Sequence, residues 1–345
     1  MRRARTIVLA TVVALSMALP AGADPKWKGT WERREYSNDA GTRAYMLYIP
    51  SKLKKDVPVL VYLHGCTQTA EDAALGTRFN ALAEEEGFVV IYPEQAPEAN
   101  GSRCWNWFLP EHQQRDLGEP SLIAGMTESV LEEVDGSRSH VFVSGASAGG
   151  AMSSIMGATY PDLYAAIGIL AAPAYGGADA TGDLAYAAMG EFARAMPTII
   201  FQGTADSLVV YPAGRTALTQ WLETNDLADN GSRDGSVSRV PEIENRAFEQ
   251  QPSPGSGEPC VPPPPSFPCA GGVIGFQEQY PHTIESYAGG DGEVLVEFWS
   301  IHGLGHAYPG GDPEGSFTDP LGPDVTTSTF EFFMAHPMPE SEPSG

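Results

Sequence analysis

Three side chains able to carry out nucleophilic attack on a carbonyl occur in the order Ser147, Asp206, His306. Ser147 sits in Gly145-Ala146-Ser147-Ala148-Gly149, a GxSxG match that is weak by itself. Its setting strengthens it. The motif follows the apolar run at 141–144 and opens a helical pattern at 148–159, as a sharp strand-to-helix turn requires. Small neighbours let the backbone turn tightly and expose the hydroxyl, with helix N–H groups aimed at developing negative charge. A plain strand–helix turn with a capping serine is the alternative use of these residues.

A serine hydroxyl needs a base, and the base needs an orienting acid. The buried run at 198–202 leads into Gly203-Thr204-Ala205-Asp206, which places Asp206 at a strand end, although a turn acid or helix cap would look the same. The run at 294–300 leads into Ile301-His302-Gly303-Leu304-Gly305-His306. His306, farther out and flanked by glycines, is expected to be the base, and His302, at the strand end, to be structural. His112, His140, His282 and His336 read as surface or capping residues. An oxyanion needs two backbone N–H donors. One is expected from Ala148. The other is expected from Cys66, in the loop Leu63-His64-Gly65-Cys66-Thr67-Gln68 that follows VPVLVYL. His64 is expected to organise that loop by hydrogen bonding. With Trp105 and Tyr308 it is placed beside the substrate, Trp105 as a wall.

These residues need a scaffold. Strand patterns at 44–49, 57–63, 88–92, 141–144, 165–171, 198–202 and 294–300 alternate with helical ones at 73–86, 119–133, 148–159, 184–195, 213–224 and 326–334. That alternation implies an α/β fold with a mostly parallel central sheet flanked by helices. The rhythm fails across about 225–292, a polar and then proline-rich stretch read as an irregular insertion within a single catalytic domain, residues 24–345.

The first 23 residues read as an export signal. Arg2, Arg3 and Arg5 precede an apolar run at 7–19, and Ala21-Gly22-Ala23 is a small-x-small cleavage pattern, which makes Asp24 the first mature residue. The run is short for a membrane span, and none of spanning length follows. The mature chain is expected to be secreted, into a periplasm or the medium, with no membrane attachment after cleavage. Export permits disulfides. The expected pairs are Cys66–Cys104 and Cys260–Cys269, although four cysteines permit three pairings. No CxxC or close His/Cys spacing suggests a metal, and the chemistry requires no cofactor. A net charge of −24 disfavours nucleic acid and anionic membranes as partners, and no protein partner is implied.

Taken together, LHGCTQTAED, FVVIYPEQ, CWNWF, GASAGGAMSS, TYPDLYAAIGILA, GTADSLV, GLGHAYPGG and GPDVTTSTFEFF form a set that resembles the polyhydroxybutyrate depolymerase family of secreted esterases. That family is related to the feruloyl and acetylxylan esterases. The likeness covers about residues 43–333, apart from 225–292. It implies an α/β-hydrolase fold and a serine esterase in which Ser147, Asp206 and His306 are nucleophile, acid and base. It points to an aliphatic polyester or its oligomers as substrate, with a feruloyl or acetyl ester on plant polysaccharide as the alternative. Gln202 stands where the family often has His, and Tyr308 where Trp is common. Few residues follow the closing helical pattern, so no appended polymer-binding domain is expected. A peptidase, or an exported binding protein that keeps the fold without catalysis, are the rival classes.

Overall fold

The computed structural model describes residues 27–246, 250–251 and 277–339. The export signal and the Cys260–Cys269 pairing lie outside these residues.

Strands whose residues are apolar on both faces form the middle of the sheet, as burial on both sides demands. They are β3 (Val57–Leu63), β4 (Val89–Pro93), β5 (Gly136–Ala146), β6 (Ala166–Leu170), β7 (Thr198–Gly203) and β12 (Val294–Ile301). They run parallel in the spatial order β4-β3-β5-β6-β7-β12. Antiparallel strands extend both edges: β1 (Thr30–Asn38) and β2 (Gly41–Ile49) beyond β4, and β11 (His282–Ala288) and β8 (Glu242–Arg246) beyond β12. Two short ladders lie apart, β9 (Gln250–Gln251) with β10 (Gln277–Glu278), and β13 (Tyr308–Pro309) with β14 (Thr318–Asp319).

Alternate side chains of each central strand feed two separate cores. Val59, Val61 and Leu63 of β3 join a core built with α3 (Gly118–Val134), α4 (Ala148–Thr159), α5 (Gly182–Met189) and α6 (Tyr211–Ala228). Leu60 and Tyr62 face the other way, onto α1 (Ala70–Thr77), α2 (Phe79–Glu86) and α7 (Val325–Ala335). The result is a sheet between two helical layers, as expected from the alternation of strands and helices.

Three details depart from the sequence expectation. The helix expected over 73–86 is two helices, broken where Arg78 takes φ 61°. The Thr326 hydroxyl captures the Thr77 carbonyl at 2.6 Å there, which diverts it from the helical ladder. Strand β1, TWERREYSN, went unread because it is a charged edge strand, with Arg34 paired to Glu133 of α3. The stretch at 225–292 is not wholly irregular: β8 and β11 add two antiparallel strands. Every residue of β8 is exposed, so no apolar alternation marks it.

The spatial order β4-β3-β5 means the chain leaves β3 to one side and later returns on the other. Such a switch point opens a crevice at the carboxyl ends of the strands, the usual place for a ligand in an open α/β sheet. The loops after β3, β5, β7 and β12 all emerge at that end.

Candidate active site

Ser147 stands between β5 and α4 with φ 55° and ψ −122°, a conformation costly for a residue with a side chain. Its N–H donates to Leu170 O at 2.8 Å, which ties the turn to β6. The neighbouring glycines are required by close approach. A Cβ at Gly145 would lie 2.6 Å from Gly149, one at Gly149 would lie 2.0 Å from Leu63 O, and one at Gly150 would lie 2.7 Å from Ala172.

Asp206 and His306 come from loops that are zipped together. Thr204 N–H donates to Ile301 O at 2.9 Å and Ala205 N–H to Leu304 O at 3.0 Å, while Thr204 Oγ1 accepts from Gly303 N–H. The His306 Nδ1–H thereby reaches Asp206 Oδ2 at 2.7 Å. The other carboxylate oxygen accepts from the N–H groups of Leu208 (2.8 Å) and Val209 (2.9 Å). Gln202 completes the turn, donating to Val209 O at 2.9 Å and to Asp206 Oδ2 at 3.4 Å. His302 is exposed and meets Thr283 Oγ1 instead. Among the described residues no hydrogen bond joins Ser147 Oγ to His306 Nε2. The two line one cavity, and such contacts commonly close only when substrate binds.

The loop after β3 faces the serine. Gly65 is held by Gln68, whose Oε1 accepts the Gly65 N–H at 2.8 Å. Gln68 Nε2 donates to Asp72 Oδ2 at 2.8 Å and to Ser316 O at 3.1 Å, so one side chain bridges this loop, α1 and the 312–318 loop. Cys66 is disulfide-bonded to Cys104. The N–H groups of Cys66 and Ala148 donate to no described residue. For Ala148, the first residue of α4, that follows from helix geometry.

His64 and Trp105 were expected beside the substrate, and the structure corrects that placement for both, although His64 does bond within the loop it was expected to organise. His64 is fully buried. Its Nδ1–H donates to Gly65 O at 2.7 Å and its Nε2 accepts the Gln95 N–H at 3.1 Å, so it organises the loop from beneath. Burial pulls its pKa below the usual imidazole range, which favours the neutral ring these two bonds need. Trp105 is also fully buried, with its indole N–H on His64 O at 3.1 Å and its ring tilted against the imidazole. The cause lies next door. Buried Glu119 accepts from both the backbone N–H and the side chain of Asn106 at 2.7 Å, drawing the CWNWF segment into the core.

Among the remaining histidines, His112 accepts the Glu119 N–H near the start of α3, His140 bonds Ser139, and His336 closes α7 against Phe332 O. His282, read as a surface or capping residue, is buried and stacked on Trp299 at 5.2 Å.

Ser147 and His306 open onto a cavity of about 300 Å³. Tyr308 lines it, and so do Tyr62, Ala73, Leu170, Leu208 and Phe317, which sequence reasoning did not single out. Leu208 and Phe317 are exposed apolar residues in loops. No period marks such residues, so only the fold brings them to the rim. The walls are mainly apolar, and the arrangement has the parts for attack on an ester or amide carbonyl: a hydroxyl, an oriented imidazole and two free N–H donors.

Comparison with known proteins places the chain in a family. Residues 43–215 match the family model described as Esterase PHB depolymerase. Poly(3-hydroxyalkanoate) depolymerase C of Paucimonas lemoignei is 28% identical over 293 residues, 79% of this chain and 60% of the relative. The chain thus spans less than two thirds of that relative's length. Feruloyl esterase B of Neurospora crassa is 32% identical over 230 residues, 59% of this chain and 76% of the relative. Among solved structures, acetyl xylan esterase from Aspergillus awamori superposes with a TM-score of 0.60 at 19% identity, covering 88% of this chain and 99% of that one. That likeness establishes the fold, an α/β-hydrolase.

Proposed function

The chain belongs to the esterase PHB depolymerase family, and from that premise we propose that it is a secreted serine esterase acting on an aliphatic polyester or its oligomers. The observation that carries the reading is the His306–Asp206 contact of 2.7 Å, at a cavity that also contains Ser147.

In the proposed reaction Ser147 Oγ attacks the ester carbonyl while its proton passes to His306 Nε2. Asp206 holds the imidazole through Nδ1–H and stabilises the imidazolium. The carbonyl oxygen becomes an oxyanion between the N–H groups of Cys66 and Ala148. Collapse expels the alcohol, which takes the proton from His306 and leaves an acyl-serine. Water then gives His306 a proton and its oxygen to the acyl carbon, and the free acid departs with Ser147 restored.

The depolymerase named among the relatives and the small apolar cavity favour a short aliphatic acyl group. The second reading, a feruloyl or acetyl ester on plant polysaccharide, draws on the relatives named for those activities. Among the described residues no helix is long and apolar enough to cross a membrane.

The test offers the purified protein amorphous polyhydroxybutyrate and feruloylated, acetylated arabinoxylan, with Ser147→Ala as the blank. Hydroxybutyrate release that the blank lacks is expected. Ferulate or acetate release instead would install the second reading. Undiminished release by Ser147→Ala would remove the mechanism.

A further inference from the structure

The polar side chains of the cavity divide sharply. Most are committed to the protein. Thr67 bonds Cys66 O, Thr77 bonds Ala73 O, Tyr308 bonds Thr326 Oγ1 at 2.9 Å and Thr318 bonds Asp312 O at 2.8 Å. Gln68 and Ser316 are both bound to Asp72. Among the described residues that line the cavity, three polar side-chain atoms have no partner in the direction of the void. Two are Ser147 Oγ and His306 Nε2, which the reaction uses. The third is the hydroxyl of Tyr62.

Tyr62 has a buried ring and a hydroxyl that bonds no described residue and reaches the cavity. It lies in the middle of the sheet, is 3% exposed and packs among Phe79, Tyr92 and Tyr308, with ring centroids 5.5–6.3 Å away. Its two tyrosine neighbours both satisfy their hydroxyls, Tyr92 on Asn80 and Tyr308 on Thr326. The Tyr62 hydroxyl is not sealed in the core: it opens onto the cavity, where a bound molecule can meet it. Phenylalanine would keep the ring packing but present no donor to the cavity.

The position of Tyr62 gives that hydroxyl a use. Tyr62 pairs in register with Ser144, three residues before Ser147. At about 3.3 Å per residue its Cα lies roughly 10 Å below the serine along the strands. Its side chain stands on the face of the sheet that carries α1, the face the cavity occupies. An acyl group bound to Ser147 with its chain down the cavity would bring its distal atoms to Tyr62.

Building on the proposed esterase activity, we infer that Tyr62 is a specificity-determining residue. Its hydroxyl donates a hydrogen bond to an oxygen carried by the acyl chain a few atoms beyond the scissile carbonyl, as in a 3-hydroxyacyl unit. A plain alkanoyl chain has no atom to accept that bond and leaves the hydroxyl unpaired, and an acetyl group does not reach it. The acceptor is a free hydroxyl at a chain end or an esterified oxygen within a chain.

The experiment compares methyl butanoate, methyl 3-hydroxybutanoate and methyl 3-acetoxybutanoate with the wild type and Tyr62→Phe, reading kcat/KM by acid release. Thermal melting confirms that the variant folds, since every ring contact of Tyr62 is kept. Tyr62→Phe is expected to lower kcat/KM about tenfold for one or both oxygenated esters, the worth of one good hydrogen bond, while butanoate changes less than about twofold. Loss on the 3-hydroxy ester alone marks a chain-end reader, and loss on the 3-acetoxy ester as well marks a reader of chain interiors. An equal change on all three esters, or none, overturns the inference while the esterase stands. A wild type that cleaves none of the three overturns the esterase reading and this inference with it.

Discussion

His64 shows how far a residue's neighbours decide its role. Beside a GCTQ loop it looks like a residue that meets substrate, yet it is sealed under that loop and holds it by two hydrogen bonds. Its behaviour with pH follows. Burial lowers its folded pKa below the ordinary value near 6.5. Above about pH 6.5 the ring is neutral in both folded and unfolded chains, and its stabilising contacts are whole. As pH falls through that value, the unfolded chain takes a proton that the folded chain resists, and stability is lost by up to about 1.4 kcal/mol per pH unit. Urea denaturation of the wild type should show this slope between about pH 6.5 and 5 beyond that of His64→Gln. Equal slopes would mean that His64 is not held neutral. Tyr62 makes the opposite point: an unremarkable strand residue becomes distinctive only because its hydroxyl is left without a partner at a cavity.

At the scale of elements, the site is made by loops that bind one another. The loop after β3 would be loose alone, since its backbone faces the cavity. It is fixed by Gln68, by His64 and by the bond from Cys66 to Cys104, which spans a sequence separation of 38. Chain-entropy reasoning assigns a cross-link of that length roughly 4 kcal/mol. The double variant Cys66→Ala, Cys104→Ala should lose about that much in chemical denaturation. Its kcat should also fall at temperatures where it remains folded, because Cys66 contributes the proposed oxyanion donor. A variant that lost stability and kept full kcat would detach the disulfide from the positioning of that donor. The elbow around Ser147 has its own requirement, for glycine at 145, 149 and 150, where β3, β5, α4 and the end of β6 approach too closely for any Cβ.

At the scale of the molecule, charge dominates. A net charge of −24 sets the chain against itself, because acidic groups far outnumber the basic ones available to pair with them. Several arginines are spent in ion pairs, Arg33 with Glu94, Arg115 with Asp162 and Arg215 with Glu285, which leaves the excess carboxylates uncompensated. Salt screens such repulsion over about 10 Å at 0.1 M. The melting temperature should therefore rise between about 10 mM and 500 mM sodium chloride at neutral pH. A flat or falling response would show that the paired charges outweigh the excess.

Much of this protein was legible in its residues. The central strands are apolar on both faces, so their burial and parallel pairing follow from composition alone. The Ser147, Asp206 and His306 loops follow such strands, and tight glycine turns announce them. These are local signals, carried by a few consecutive residues. What the sequence could not decide is which side of a loop or strand meets the cavity. Trp105 turns inward because Glu119, 14 residues later, binds Asn106 from the core side. Helix α1 stops at Arg78 because Thr326, 249 residues after Thr77, takes the Thr77 carbonyl. Tyr62, Leu208 and Phe317 reach one void from three distant loops and strands. Local chemistry chooses the element and its turns. Contacts between distant segments choose which side chains are left facing empty space, and that is where a substrate is selected.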